Sequence, residues 1–191
     1  MLKEVVFAGF GGQGVLTAGL IVAHMALKAG CEVSWMPAYG PSMRGGKAYS
    51  VVKFGDGPLG SPDMEDIDIL AAMNQPSLEY VQLVKKDGIV FINSNRVADD
   101  VPPEDGHACV RVACASLAQS AGNQQGANLV MIGAIIKRCG IFEKEFALAA
   151  MKSYFKEKGK ARYDAVNEAA FLAGYGEVPV AELRKVGSNE P

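Results

Sequence analysis

Val5-Val6-Phe7-Ala8-Gly9-Phe10-Gly11-Gly12-Gln13-Gly14-Val15 opens a run of helix formers that continues to Ala29. An apolar, strand-like run flows through glycines into a helix, and Gly9, Gly11 and Gly14 hold the spacing of a strand–turn–helix phosphate cradle. The first glycine permits the tight turn, the second lets the backbone approach a ligand, and the third lets helix pack closely on strand. The helix start then turns unpaired N–H groups and the positive dipole end towards any anion lying there. A purely structural turn uses the same glycines, and that alternative stays open.

A dinucleotide cofactor needs Asp or Glu about 20 residues on, at the end of the second strand, to hold ribose hydroxyls. The second apolar run, Cys31 to Met36, ends in Met36-Pro37-Ala38, with no carboxylate, and Glu32 stands at its start. Next comes Pro37-Ala38-Tyr39-Gly40-Pro41-Ser42-Met43-Arg44-Gly45-Gly46-Lys47, with two prolines, three glycines, two cations and no periodicity. Such a loop is stiff, and at a strand's carboxyl end it sits where open α/β sheets take ligands, so it reads as functional rather than a plain surface connection.

Beyond the loop, Ala48 to Phe54 alternates as a strand, antiparallel to its predecessor or at an edge. Asp66 to Met73 reads as a short strand. Asn74-Gln75-Pro76-Ser77 then starts a helix reaching Lys85, with Asn74 either a cap or a ligand-facing group. Lys86-Asp87-Gly88 reads as a turn before a buried strand, Ile89 to Ile92. His107 to Ala113 is the last strand. The closing third is helical: Ala115 to Ala121, an apolar Gly126 to Cys139, Phe142 to Lys158, and Ala161 to Ala173 closed by Gly174. The pattern predicts a single α/β domain over residues 1–186, a three-layer α/β/α sandwich on a Rossmann-like, mostly parallel sheet, with residues 187–191 as a tail.

The 191 residues are 49% hydrophobic with net charge −2. No basic block appears, which argues against nucleic acid as a partner. No apolar run approaches the roughly 18 residues that cross a bilayer, and the start does not read as a signal peptide, so a cytoplasmic protein without membrane contact is expected. Cys31, Cys109, Cys114 and Cys139 show no metal-binding spacing and read as buried thiols, with no metal site. His24 and His107 have no spaced partner and read as structural.

Three blocks, Gly9 to Val15, Pro37 to Gly46 and Ala71-Ala72-Met73-Asn74-Gln75-Pro76-Ser77, resemble the gamma subunit of the 2-oxoacid:ferredoxin (acceptor) oxidoreductases in order and spacing. The resemblance spans essentially the whole chain and is greatest to the 2-oxoglutarate type, with the branched-chain type close behind. It implies an assembly that decarboxylates a 2-oxoacid on thiamine diphosphate and Mg²⁺. Electrons pass through [4Fe–4S] clusters to ferredoxin or another acceptor, and the acyl group goes to coenzyme A. It also implies alpha, beta and ferredoxin-like delta subunits as partners, which hold the cofactors. The chain itself would then have no catalytic residue and no tightly bound cofactor, and an isolated copy would pair with itself through its partner surface.

The residues expected to meet coenzyme A or a partner are Gly11, Gly12, Gln13, Gly14, Tyr39, Gly40, Arg44, Gly45, Gly46 and Asn74. The competing expectation is a free-standing nucleotide-binding module or reductase, and a fold that only mediates assembly is the third.

Overall fold

The structure, a computed structural model, describes residues 2–40, 46–98 and 107–178. The apolar run at the start is β1 (Lys3–Phe10), and helix α1 (Val15–Lys28) follows directly after the glycine turn. Strand β2 (Glu32–Tyr39) runs three residues further than its apolar content suggests, through Pro37. An edge strand tolerates proline because the missing N–H has no neighbour to serve, and β2 is the edge of a six-stranded sheet ordered β2-β3-β1-β4-β5-β6.

Strand β3 (Lys47–Gly55) is antiparallel to β2, as alternation and the short connection suggest, but it lies inside the sheet between β2 and β1. Strands β4 (Ile67–Ala72), β5 (Val84–Asn93) and β6 (Ala108–Val112) extend the other side in parallel with β1. Because β3 reverses direction twice over, β2 points the same way as β1. The loop after β2 and the turn after β1 therefore share one end of the sheet.

Between β4 and β5 the chain forms a 3₁₀ segment, Gln75–Leu83, rather than a regular α-helix, with Pro76 in its first turn. The turn expected at Lys86-Asp87-Gly88 is instead an irregular stretch of β5. There the pairing jumps from Ile67 opposite Val84 to Ile69 opposite Ile89.

The α/β expectation holds, with a helical last third. Helices α1, α2 (Cys114–Ser120), α3 (Ala127–Cys139), α4 (Lys144–Glu157) and α5 (Asp164–Glu177) all join one core with Val5, Phe7, Ala71 and Phe91. The alternate residues Val6, Ala8, Leu70 and Val90 face a second, smaller core under Val81 and Val97. Both sheet faces are thus buried, which explains the unbroken apolar strands.

The helical layer is locked where α3 crosses α5. A Cβ on Gly133 would stand 2.0 Å from the Phe171 carbonyl oxygen, and one on Gly174 would stand 1.9 Å from that of Val130. Gly174, expected to end its helix, lies within α5 because this crossing requires bare backbone. The residues of the 187–191 tail lie outside those described.

Candidate anion-binding site at the carboxyl end of the sheet

The turn after β1 is built by hydrogen bonds that consume part of its donor set. The Gln13 N–H donates to the Phe10 carbonyl (3.1 Å), and the Gly11 N–H donates to the Gly46 carbonyl (3.0 Å). Gly12 and Gly14 have φ of 99° and 74°, the left-handed region that favours glycine. Nothing lies within 4 Å of where a Gly12 Cβ would be, so this backbone is open to approach. Gly14 caps α1, whose first turn carries no acid. The first-turn N–H groups of a helix lack intrahelical partners, so a positive, donor-rich end faces outward.

Gln13 faces inward. Its Oε1 accepts from the Phe10 N–H (2.6 Å) and from Asn74 Nδ2 (3.0 Å), while its Nε2 donates to the Met73 carbonyl (3.1 Å). Asn74 is 5% exposed, and its Oδ1 accepts from the Ser77 N–H and hydroxyl, so it caps the 3₁₀ segment. Asn93 Nδ2 adds a bond to the Met73 carbonyl. At β1 the chain leaves to the helical face, and at β4 it leaves to the other. Such a switch point opens a crevice in α/β sheets, and here the side chains of Gln13, Asn74 and Asn93 tie it shut. The side chain of Asn74 is thereby spent on cap and crevice. The N–H and Oε1 of Gln13 are likewise spent within the turn, and its Nε2 spends one of two hydrogens on Met73.

The far wall comes from α3. Asn128, 7% exposed, donates to the Gly14 carbonyl across 3.1 Å and 114 residues of sequence. Two cavities share the Gly12, Gly14 and Thr17 backbone as a common wall. The smaller, about 370 Å³, is apolar, bounded by Phe10, Val15, Leu16, Tyr39 and Ala48. The larger, about 1100 Å³, runs to the α4–α5 turn, and Arg96, Lys160 and Arg162 are its charged lining. No carboxylate lines it among the described residues.

The two ends of the loop after β2 also meet the cradle. Gly46 holds Gly11, as above, and the Gly40 N–H donates to the Lys47 carbonyl at 2.9 Å. Tyr39 is 63% exposed at the mouth of the smaller cavity. Lys47 pairs with Glu79 at 2.6 Å. Arg44 and Gly45 lie outside the described residues. Strand β3 lies between β2 and β1, so β2 is not the neighbour of β1 that carries a ribose-binding carboxylate, and Tyr39 and not an acid stands at its end.

Asn128, Arg96, Lys160 and Arg162 escape sequence reasoning because they come from distant elements. A buried amide in the apolar helix α3 is the one signal that marks Asn128. The remaining titratable groups are elsewhere. Burial pushes the Cys114 and Cys139 thiols up to about 12, so both are protonated at neutral pH, and Cys109 is exposed. Burial lowers the His24 pKa, and the ring packs edge-on to Tyr154. No described helix is long and apolar enough to cross a membrane.

Residues 4–177 match the family described as pyruvate ferredoxin/flavodoxin oxidoreductase. The chain is 36% identical over 160 residues to the ketoisovalerate oxidoreductase subunit VorA of Methanothermobacter marburgensis, covering 82% of this chain and 33% of that one. It is 30% identical over 178 residues to the 2-oxoglutarate synthase subunit KorC of Methanocaldococcus jannaschii, covering 92% and 93%. The crystal structure of the keto/oxoacid ferredoxin oxidoreductase gamma subunit of Geobacter sulfurreducens superposes with a TM-score of 0.76 at 29% identity, over 92% of this chain and 97% of that one. The chain thus spans about a third of the ketoisovalerate relative and nearly all of the other two.

Proposed function

The chain belongs to the pyruvate ferredoxin/flavodoxin oxidoreductase family, and from that premise we propose that it is the gamma subunit of a multisubunit 2-oxoacid:ferredoxin oxidoreductase. The observation that carries this is a likeness spanning more than nine-tenths of both this chain and a 2-oxoglutarate synthase subunit. The substrate of the assembly is then a 2-oxoacid, 2-oxoglutarate or a branched-chain relative. In this reading thiamine diphosphate with Mg²⁺ and the [4Fe–4S] clusters are held by alpha, beta and ferredoxin-like delta partners in the cytoplasm. The four cysteines of this chain show no cluster-ligand spacing, which supports that division.

The chain's own part is to wall the site and to meet coenzyme A. The open Gly12 backbone, the acid-free start of α1 and the two ends of the loop after β2, Tyr39–Gly40 and Gly46, fit the phosphates of such a ligand. Arg44, at the centre of that loop, supplies a planar fork for a phosphate, or for a carboxylate on the alpha subunit.

The test is reconstitution of the assembly with Arg44→Ala. Coenzyme contact predicts a KM for coenzyme A raised about tenfold, the loss of one charge-assisted phosphate contact, with subunits still co-eluting. Failed assembly with wild-type KM in the residual complex makes Arg44 a subunit anchor. No change in either overturns both roles. If the tagged chain captures no partner subunits at all, the subunit reading itself falls.

A further inference from the structure

His24 is a titratable side chain that the coenzyme reading of the glycine turn leaves unused. It stands on α1, and its Nε2 is buried with no hydrogen-bond partner among the described residues. A buried ring nitrogen left in that state carries a desolvation cost and calls for an explanation.

The ring sits in the seam between α1 and α4. From α4, Tyr154 packs edge-on with ring centroids 5.8 Å apart, and Glu157 Oε1 lies 3.9 Å from Nε2, too far for a hydrogen bond. That same oxygen accepts from the Ser153 hydroxyl at 3.0 Å and lies 3.7 Å from Nζ of Lys28, one turn further along α1. The sheet beneath adds no charge. Strands β1 and β3 bring Val5, Phe7, Val52 and Phe54 to the same core as α1, and the Ser50 hydroxyl is spent on the Val15 carbonyl. Val33 and Trp35 of β2 and the preceding Cys31 thiol pack on that core as well. Helix α3 reaches the start of α1 through the Asn128 amide.

A positive charge on this ring is poorly housed. Burial opposes it most, the attraction of Glu157 favours it, and Lys28 repels it, so the His24 pKa is held below its ordinary 6.5. The Glu157 side chain is 55% exposed, and water and Lys28 both weaken its pull. A histidine whose folded-state pKa is depressed supports the fold fully above 6.5, and that support is lost as pH falls from there through the folded-state value.

The seam is joined to a moving part. The Lys158 N–H donates to the Tyr154 carbonyl (3.2 Å) and the Lys160 N–H to that of Phe155 (2.8 Å), while Gly159, with φ of 68°, closes the turn. The turn after α4 thus hangs from the residue that packs on His24 and from its neighbour, and Phe155 and Lys160 line the open groove of the larger cavity.

We propose that His24 is a proton-sensitive latch between α1 and α4. Neutral, it lets the last turn of α4 close on α1. Once the ring takes a second proton from solvent, that turn is released together with the α4–α5 connection that walls the groove.

Proton NMR titration and amide exchange of the full chain test it. The chain has two histidines, and His24→Gln tells the His24 ring resonance from that of His107. The wild-type His24 resonance titrates below 6.5. Protection of the Phe155 and Lys160 amides, corrected for the intrinsic effect of pH, falls severalfold between about pH 7.5 and about pH 5, while that of Val130 in α3 holds. His24→Phe, uncharged at every pH, keeps the α4 protection at the acid end, and His24→Gln serves where the phenyl ring does not fit. A His24 resonance titrating above 6.5, acid-independent protection at Phe155 and Lys160, or the same acid loss in both variants overturns the latch. Equal loss at Val130 overturns it too, because the opening is then global. These readouts involve neither partner subunits nor a cavity ligand, so the subunit reading is judged separately.

Discussion

At the amino end of the sheet, Glu4 and Lys53, 4% and 3% exposed, lie 3.2 Å apart, and Glu65 approaches the same ammonium at 3.0 Å. The remaining lone pairs of Glu4 accept the N–H groups of Glu65 and Asp66. Beside them Asp68 takes Lys3, Lys85 and the Glu4 N–H. At the carboxyl end, the groove wall presents Arg96, Lys160 and Arg162 with no acid in its lining, and amides rather than charges tie the strands together. Among the described residues, charges are matched where the fold needs only rigidity and the cations lining the larger cavity are not. The lesson is that charge pairing, more than charge content, separates the structural end from the candidate working end.

The largest expected effect breaks the paired end. Lys53→Met leaves the Glu4 carboxylate buried without its cation, which costs about 3–5 kcal/mol. Urea unfolding reads this directly, and adding Glu4→Gln recovers most of the loss. A cost below about 1 kcal/mol would mean that the pair is not desolvated and that the two ends do not differ as described.

Next comes the amide tie at the other end. Gln13→Ala strands the Phe10 N–H, Asn74 Nδ2 and one bond to the Met73 carbonyl, for a loss of about 2 kcal/mol. The crevice between β1 and β4 then opens, and amide exchange at Phe10 accelerates. Unchanged exchange would show that backbone pairing alone closes the crevice.

Asp68 sharpens the comparison through pH. Burial acts to raise its pKa, but the Glu4 N–H, Lys85 and Lys3 outweigh it and hold the carboxyl below its ordinary value of 3.8. A carboxyl whose folded-state pKa is depressed contributes stability that is complete above the ordinary value and is lost as pH falls through the folded-state value. Asp68→Asn therefore costs about 1 kcal/mol at neutral pH and flattens the fall of the urea midpoint below pH 3.8. An acid limb identical to the wild type would assign acid sensitivity to other carboxyls. The smallest effect belongs to the groove: neutralising Arg96, Lys160 and Arg162 changes stability by less than about 0.5 kcal/mol, because all three are exposed and none is ion-paired among the described residues.

The candidate site was half legible. The Gly9–Gly14 turn, its strand and its helix are local, and the order of glycines along one short stretch specifies their geometry. Asn74 reads from the sequence as the residue at a strand end, and its cap role follows from Ser77 three residues on. The inward turn of Gln13 was invisible, because a glutamine in a glycine loop gives no sign of whether its amide faces a ligand or the Met73 carbonyl. Asn128, Lys160 and Arg162 reach the cavity beside the cradle only through folding of the last third of the chain, and Arg96 reaches it from just beyond β5.

From its residues alone the chain determined the alternation of strands and helices, the buried character of Ile89–Ile92 in β5 and of α3, the glycine turn, and the family resemblance. These depend on short-range periodicity and on which residues tolerate a positive φ or a bare backbone. Tertiary structure alone decided that β3 inserts between β1 and β2, that Pro37 lies in an edge strand, and that Gly174 serves a helix crossing rather than a helix end. It also decided which cations line the larger cavity. Those outcomes depend on which surfaces meet across distant stretches of the chain, and a local pattern carries no record of the partner that will face it.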